Sequence, residues 1–222
     1  MRKLRLTFAL IIVTISLLSL NSCYTDYGLS TQDYDIVATF FDKETDFQQF
    51  QTYTLLDSIV RVKEDGSTGG DVDTKYDQQI LNRIADNLQS YGYTSIAPDD
   101  VDSTNLPDVF ILVSAVSSKN YAYSPGYWWG YWGWYPGWGY YPGYGPGWGG
   151  YYPGGVSYSF TTGSLLINML EADNVDVANK TAVINWAAVI NGLLDDKSSN
   201  ISSRINQAID QSFKQSTYLK IN

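Results

Sequence analysis

The stretch from Tyr121 to Gly155 limits what this chain can fold into more than any other. Ten Tyr, six Trp, twelve Gly and five Pro fill 33 of its 35 positions, Ala122 and Ser124 are the rest, and none is charged. Glycine and proline at this density prevent a regular helix. So many rings cannot all be hidden in a domain of about 200 residues, and exposed aromatic patches usually mark interaction surfaces. The fold must therefore be assembled from the sequence on either side, with 121–155 as an insertion. Such an insertion is tolerable because closure entropy grows only slowly with loop length.

The N-terminus has a different character. Arg2, Lys3 and Arg5 precede an almost wholly apolar run from Leu6 to Leu20, followed by Asn21, Ser22 and Cys23. A basic start, a short apolar core and a small residue before the cut describe a bacterial secretion signal over residues 1–22. The apolar run is shorter than the roughly 20 residues that a membrane span needs. A cysteine directly after the small residue resembles the lipobox of bacterial lipoproteins, with Asn21 where Ala, Ser or Thr is commoner. The resemblance implies that the Cys23 thiol is acylated and that membrane attachment runs through those acyl chains. Residues 23–32 then read as a polar tether, and 33–222 as one domain.

Composition narrows the classes of function. The chain has 222 residues and a net charge of −9. Removing the three basic residues of 1–22 takes it to −12. This acidity argues against nucleic acid as a partner, since phosphates need a basic face. Cys23 is the only cysteine, so the domain cannot use a disulfide. Histidine is absent, which removes the commonest general base and the commonest zinc ligand. No cofactor is implied.

Periodicity places the elements. Ile36–Phe41 and Phe50–Leu55 have strand character, and Val60 with Val62 extends a ribbon. Tyr76, Ile80, Ile84, Leu88 and Tyr91 fall at helical spacing, with Thr74 as an N-cap and Gly92 as a C-cap, which predicts a helix over 74–91. Residues 98–107 form an acidic loop, and Val109–Val116 is an apolar run of strand length. Beyond the insertion, 156–161 alternates, 165–170 and 180–190 read as strands, and Asn191-Gly192 signals a turn. A last helix, capped by Ser198 or Ser199, puts Ile201, Ile205, Ala208, Ile209 and Phe213 on one face. Clustered strands after the insertion imply antiparallel pairing. The expected class is α+β, an antiparallel sheet with two helices packed on one face and a long Gly/Tyr/Trp/Pro-rich insertion.

Several of these segments carry a resemblance. Asp33-Tyr34-Asp35-Ile36-Val37 opens the first strand, and Phe47-Gln48-Gln49-Phe50-Gln51-Thr52-Tyr53 opens the second. The first helix ends in Tyr91-Gly92-Tyr93, and Pro107-Asp108-Val109 follows. Thr162-Gly163-Ser164-Leu165 and Trp186 precede the final helix. Over residues 33–215 the chain resembles the lipoprotein family catalogued as domain of unknown function 4136. The resemblance implies an α+β fold and lipidation, and it implies no reaction.

Chemistry-bearing groups are few. Asp99, Asp100, Asp102 and Asp108 bracket one loop, but Asn105 stands where a calcium loop needs glycine, and Ile111 where it needs the closing Glu. A solvated acidic loop is expected there, and Asp71, Asp73 and Asp77 are read likewise near a helix N-terminus. Glu171 with Asp173 is a candidate pair for carboxylate hydrolysis, which needs two acids flanking one bond. No Ser-x-x-Lys is present. Trp186, between Ile184 and Ala188, is expected in the core. Asp57-Ser58-Ile59 resembles a bacterial O-glycosylation signal.

The expectation is thus a non-enzymatic outer-membrane lipoprotein, on the periplasmic face, that presents the aromatic segment to a partner. Tyr127, Trp128, Trp129, Trp132, Trp134, Trp138, Tyr140, Tyr141 and Trp148 are the candidate contact residues. An envelope protein, a glycan such as peptidoglycan or polysaccharide, a lipid surface and self-association all suit such rings. The glycan-binding module is the main alternative, and a carboxylate hydrolase a more distant one.

Overall fold

Val109–Val116 (β5) is apolar at every position but Ser114, and all eight residues are buried. A strand without polar alternation belongs inside a sheet with both faces covered. In the computed structural model β5 is indeed central. The structure describes residues 37–62, 72–102, 104–116, 121–122, 149–151, 159–160, 163–176, 181–195 and 200–221. The chain divides into two compact units, 1–34 and 35–222, and the described residues fall in the second. Signal peptide, tether and Cys23 lie outside them.

Before β5 come β1 (Val37–Phe41), β2 (Thr52–Leu55), β3 (Val60–Val62), helix α1 (Asp77–Ser90) and β4 (Thr94–Ser95). After it come β6 (Tyr121–Ala122), β7 (Gly149–Tyr151), β8 (Ser159–Phe160), β9 (Leu165–Asp176), β10 (Thr181–Ile190) and helix α2 (Ile201–Gln215). The main sheet has the order β1-β10-β9-β5-β2-β4, with β3 also on β5 and β7 on β10. The run from β1 to β5 is antiparallel. β2, β3, β4 and β7 pair in parallel. The expected α+β class holds, with a sheet that is mostly antiparallel rather than wholly so.

β2 and β3 lie along the same edge of β5, opposite Val109–Ile111 and Ser114–Val116 respectively. Val60 and Val62 therefore extend no ribbon with β2. The two strands form one interrupted edge, with exposed Asp57 and Ser58 at the break between buried Leu56 and Ile59. Of the alternating stretch at 156–161 the structure describes β8, which pairs antiparallel with β6 in a separate two-stranded sheet. β9 runs on from Leu170 to Asp176, farther than its apolar run suggested.

Both helices pack on one face. Ile80, Ile84 and Leu88 of α1 and Ile205, Ile209 and Phe213 of α2 join Ile111, Val113, Ile167, Met169 and Trp186 in a single core. Spacings of four residues put each trio on one helical stripe. Trp186 is 1% exposed, its indole Nε1–H donates to Ser216 Oγ at 2.8 Å, and its ring packs on Phe213. Tyr91 Oη donates to the Phe213 carbonyl and so links the helix ends.

The ends of α1 show one expected cap and one different from expectation. Gly92 has φ 103°, which an L side chain rarely adopts. Its N–H donates to the Gln89 carbonyl and that of Tyr93 to Leu88, the Schellman pattern. At the other end the helix starts at Asp77, with Tyr76 in the cap position and no side-chain cap bond. Thr74 lies too far upstream for its hydroxyl to reach the first-turn amides, and only its carbonyl accepts, from Asp77 N–H. In α2 the residue before the helix is Asn200. Ser198 and Ser199 lie outside the described residues.

Candidate functional site

The nine aromatic residues singled out as contacts, Tyr127 to Trp148, lie outside the described residues. What the structure does place is where their segment is fastened. Tyr121–Ala122 pairs with Ser159–Phe160. Gly149–Tyr151 pairs in parallel with Thr181–Val183 at the start of β10. The uncharged segment is therefore tied to strands at both ends.

Several of the described carboxylates hold the fold together. Asp108 Oδ2 accepts from Gln51 N–H at 2.7 Å, Thr52 N–H at 2.8 Å and Thr52 Oγ1 at 2.9 Å. The Asp108 N–H donates back to Thr52 Oγ1 at 2.9 Å. This exchange fixes β2 against β5 one residue before their ladder begins. Asp102 accepts from Thr104 N–H, Thr104 Oγ1 and Asn105 N–H. The Thr104 hydroxyl, then the backbone amides, hold the Asp102 carboxyl below its ordinary range. Asp99 and Asp100 are exposed on a 3₁₀ turn. The loop is thus an arrangement of local turns rather than a convergence of acids. Among the described residues no group of three or more His, Cys, Asp or Glu is placed to hold a metal ion.

Asp77, read from sequence as a solvated acid, is instead held by Arg61 of β3 in two bonds, one of 2.6 Å from Nη1 to Oδ2. Arg61 also donates to the carbonyls of Ile59 and Asp73. It therefore fastens the edge strand to the N-terminus of α1, where the helix dipole already favours an anion. Sequence gave no hint of this pair, because its members are sixteen residues apart on different elements. Between the helices, Arg83 Nε donates to Asp210 Oδ1 at 2.7 Å, and Asn87 donates to the same oxygen. Burial alone would raise the Asp210 carboxyl, but the bonds from Arg83 and Asn87 and the charges of Arg83 and Lys214 hold it below its ordinary range. Glu171 and Asp173 stand two residues apart on β9, which in a regular strand puts them on one face. Asp173 is exposed, and Glu171 is half-buried and has an interaction partner.

Two aromatic features were not legible in sequence. Phe41 is 44% exposed on β1, and its ring lies 4.2 Å from that of Tyr218, which in turn packs on Phe47. Burial raises the Tyr218 phenol, partly opposed by hydrogen bonds with Ser216, Trp186 and Thr39. Tyr93 packs edge-on against Tyr53, and its buried hydroxyl has no hydrogen-bond partner. Burial, with the Asp108 charge, pushes its phenol far above the ordinary range. Trp186 lies in the core as expected.

No helix among the described residues is long and apolar enough to cross a membrane. Residues 37–216 match the family model described as domain of unknown function 4136. The chain is also similar to a solved protein of that family from Bacteroides thetaiotaomicron, with 28% identity and a TM-score of 0.62, over 84% of this chain and 97% of the other. A weaker likeness, with 10% identity and a TM-score of 0.40, is to the PelC dodecamer from Paraburkholderia phytofirmans, over 85% and 99% of the two chains. No curated protein matches the chain.

Proposed function

The chain belongs to the domain of unknown function 4136 family, and from that premise we propose that it is a non-enzymatic lipoprotein of the outer membrane. Acyl chains on Cys23 hold it to the membrane, and the α+β domain presents the aromatic segment 121–155 to an envelope protein or glycan on the periplasmic side. The observation that carries this reading is the attachment of the uncharged segment at both ends, through β6 to β8 and through β7 to β10. A loop fixed at two points has less freedom to lose on binding than a free tail. The duties of Asp77, Asp102, Asp108 and Asp210 support the non-enzymatic part, since each is engaged in local or inter-element bonds.

Retention of the protein on purified peptidoglycan and cell polysaccharides, with Trp→Ala variants at Trp128, Trp129, Trp132, Trp134, Trp138 and Trp148, tests the presented surface. Retention that falls with individual Trp changes identifies the partner as a glycan. With no retention, cross-linking in intact cells should trap a protein through the same segment. Failure of both would refute the presentation reading.

A further inference from the structure

β2 and β3 follow one another along the edge of β5, and the register between them does not close. Leu55 stands opposite Ile111, and Val60 opposite Ser114. On β5 only Leu112 and Val113 separate these positions, whereas Leu56, Asp57, Ser58 and Ile59 separate them on the edge chain. Two residues are therefore surplus and must bulge out. The burial pattern identifies them. Leu56 and Ile59 are 2% and 5% exposed, and Asp57 and Ser58 between them face solvent. In an unbroken strand Ser58 would share the face of Leu56, and Asp57 that of Ile59. The bulge instead turns two consecutive polar side chains outward.

The bulge is held at both ends. Leu56 N–H donates to the Ile111 carbonyl at 3.5 Å, and the Ile59 carbonyl accepts from Arg61 Nη1 at 2.8 Å. The same guanidinium is bonded to Asp77 of α1. On the outer side β4 pairs only with Thr52 and Tyr53, so no described strand runs beside 57–58. Asp57 keeps an interaction within the chain and is exposed all the same. Asp57-Ser58-Ile59 is also the one place in the chain where Asp, then Ser or Thr, is followed by an aliphatic residue. Asp73-Thr74 precedes Lys75, and Asp102-Ser103 precedes Thr104. The tripeptide that resembles a bacterial O-glycosylation signal is thus the one the fold loops out. Its carboxylate and hydroxyl are presented side by side, and its aliphatic residue is anchored in the core.

We propose that Ser58 is a glycan attachment site and that Asp57 is the side chain by which the transferring enzyme reads it. The donor is a diphosphate-activated glycan. Ser58 Oγ forms a bond to the anomeric carbon, and the bond from that carbon to the diphosphate oxygen breaks. The diphosphate leaves with the electron pair, and the hydroxyl proton passes to a base of the transferring enzyme. The core contacts of this edge belong to Leu56 and Ile59, so a glycan on Ser58 displaces no packed side chain. A bulky, solvated group suits an exposed turn. Beside the edge strand β3 it also blocks pairing with another chain. This modification is separate from the presentation of segment 121–155 and rests on the proposed function only for secretion of the chain.

Mass-spectrometric peptide mapping of the full chain, isolated from the envelope of its source bacterium, tests the proposal. Trypsin cuts after Lys43 and Arg61, and Ser58 is the only serine in the resulting peptide 44–61. The expected result is the added mass of sugar residues on that peptide, localised to Ser58 by electron-transfer fragmentation. The sugar should be retained in Ser58→Thr and lost in Ser58→Ala and in Asp57→Ala. Far-ultraviolet dichroism checks that each variant is folded, and if one is not, localisation in the parent protein decides. A peptide without sugar, sugar carried instead by Thr45, Thr52 or Thr54, phosphate in place of sugar, or sugar kept in Asp57→Ala would overturn the proposal. The N-terminal peptide in the same digest separates it from the reading it rests on. A chain processed at Cys23 but bare at Ser58 refutes glycosylation alone, and an unprocessed, bare chain refutes secretion with it.

Discussion

Replacing Asp108 by Ala removes the acceptor for two backbone amides and one hydroxyl at the start of the β2–β5 pairing. A hydrogen bond to a charged group contributes about 1.5–3 kcal/mol when partly shielded. Gln51 is exposed, so water replaces the acceptor for its amide at little cost. Thr52 is half-buried and loses two bonds to the carboxylate. The net loss for Asp108→Ala is therefore about 2–3 kcal/mol, and about 1 kcal/mol for Asp108→Asn, which keeps a carbonyl acceptor. For a domain of this size that corresponds to a fall in Tm of about 5–10 °C for the alanine variant. Urea denaturation of the chain from residue 35 measures it, with an unchanged m-value as the sign that the denatured state is not altered. A cycle with Thr52→Val should show coupling, because the two side chains share these bonds. An Asp108→Ala protein within about 0.5 kcal/mol of the parent, or additivity in the cycle, would refute the view that this carboxylate fixes the sheet register.

Three further outcomes follow from the geometry. Gly92→Ala forces a methyl group into a positive-φ site where it meets the Ile221 carbonyl at 3.1 Å, so thermal unfolding should show a loss of about 1–2 kcal/mol or more. Ser216→Ala leaves the buried Trp186 Nε1–H without its acceptor, which should cost about 1–3 kcal/mol in urea titration, with a change in near-ultraviolet dichroism. Asp210 has a folded pKa below its unfolded value, so its contribution is present above the unfolded value and is lost as pH falls through the folded one. The stability gap between parent and Asp210→Asn should thus be small, since the pair is partly exposed, constant near neutrality, and closed by pH titration below about 4.

The sequence made the elements legible where one physical rule dominated. The i, i+4 stripes of α1 and α2, the largely apolar run of β5 and the positive-φ Gly92 are local signals, and each appears in the fold. Pairing partners were harder to read. Nothing in Val60-Arg61-Val62 distinguishes a ribbon with β2 from a parallel pairing with β5, because that choice depends on where the chain returns after Leu56. Thr74 satisfied the cap pattern by spacing, yet α1 begins at Asp77, whose carboxylate is held by Arg61. Asp108 read as one acid among several, and its role depends on Gln51 and Thr52, more than fifty residues away. The aromatic segment was legible as an insertion, while its fastening to β10 is a long-range event that composition does not encode.

The most direct test of the central claim is metabolic labelling with palmitate in cells expressing the full chain or its Cys23→Ala variant, followed by separation of outer-membrane fractions. The account predicts label on the parent protein in that fraction, and for Cys23→Ala an unlabelled, unprocessed chain. An unlabelled parent, or a Cys23→Ala chain processed and located like the parent, would contradict it.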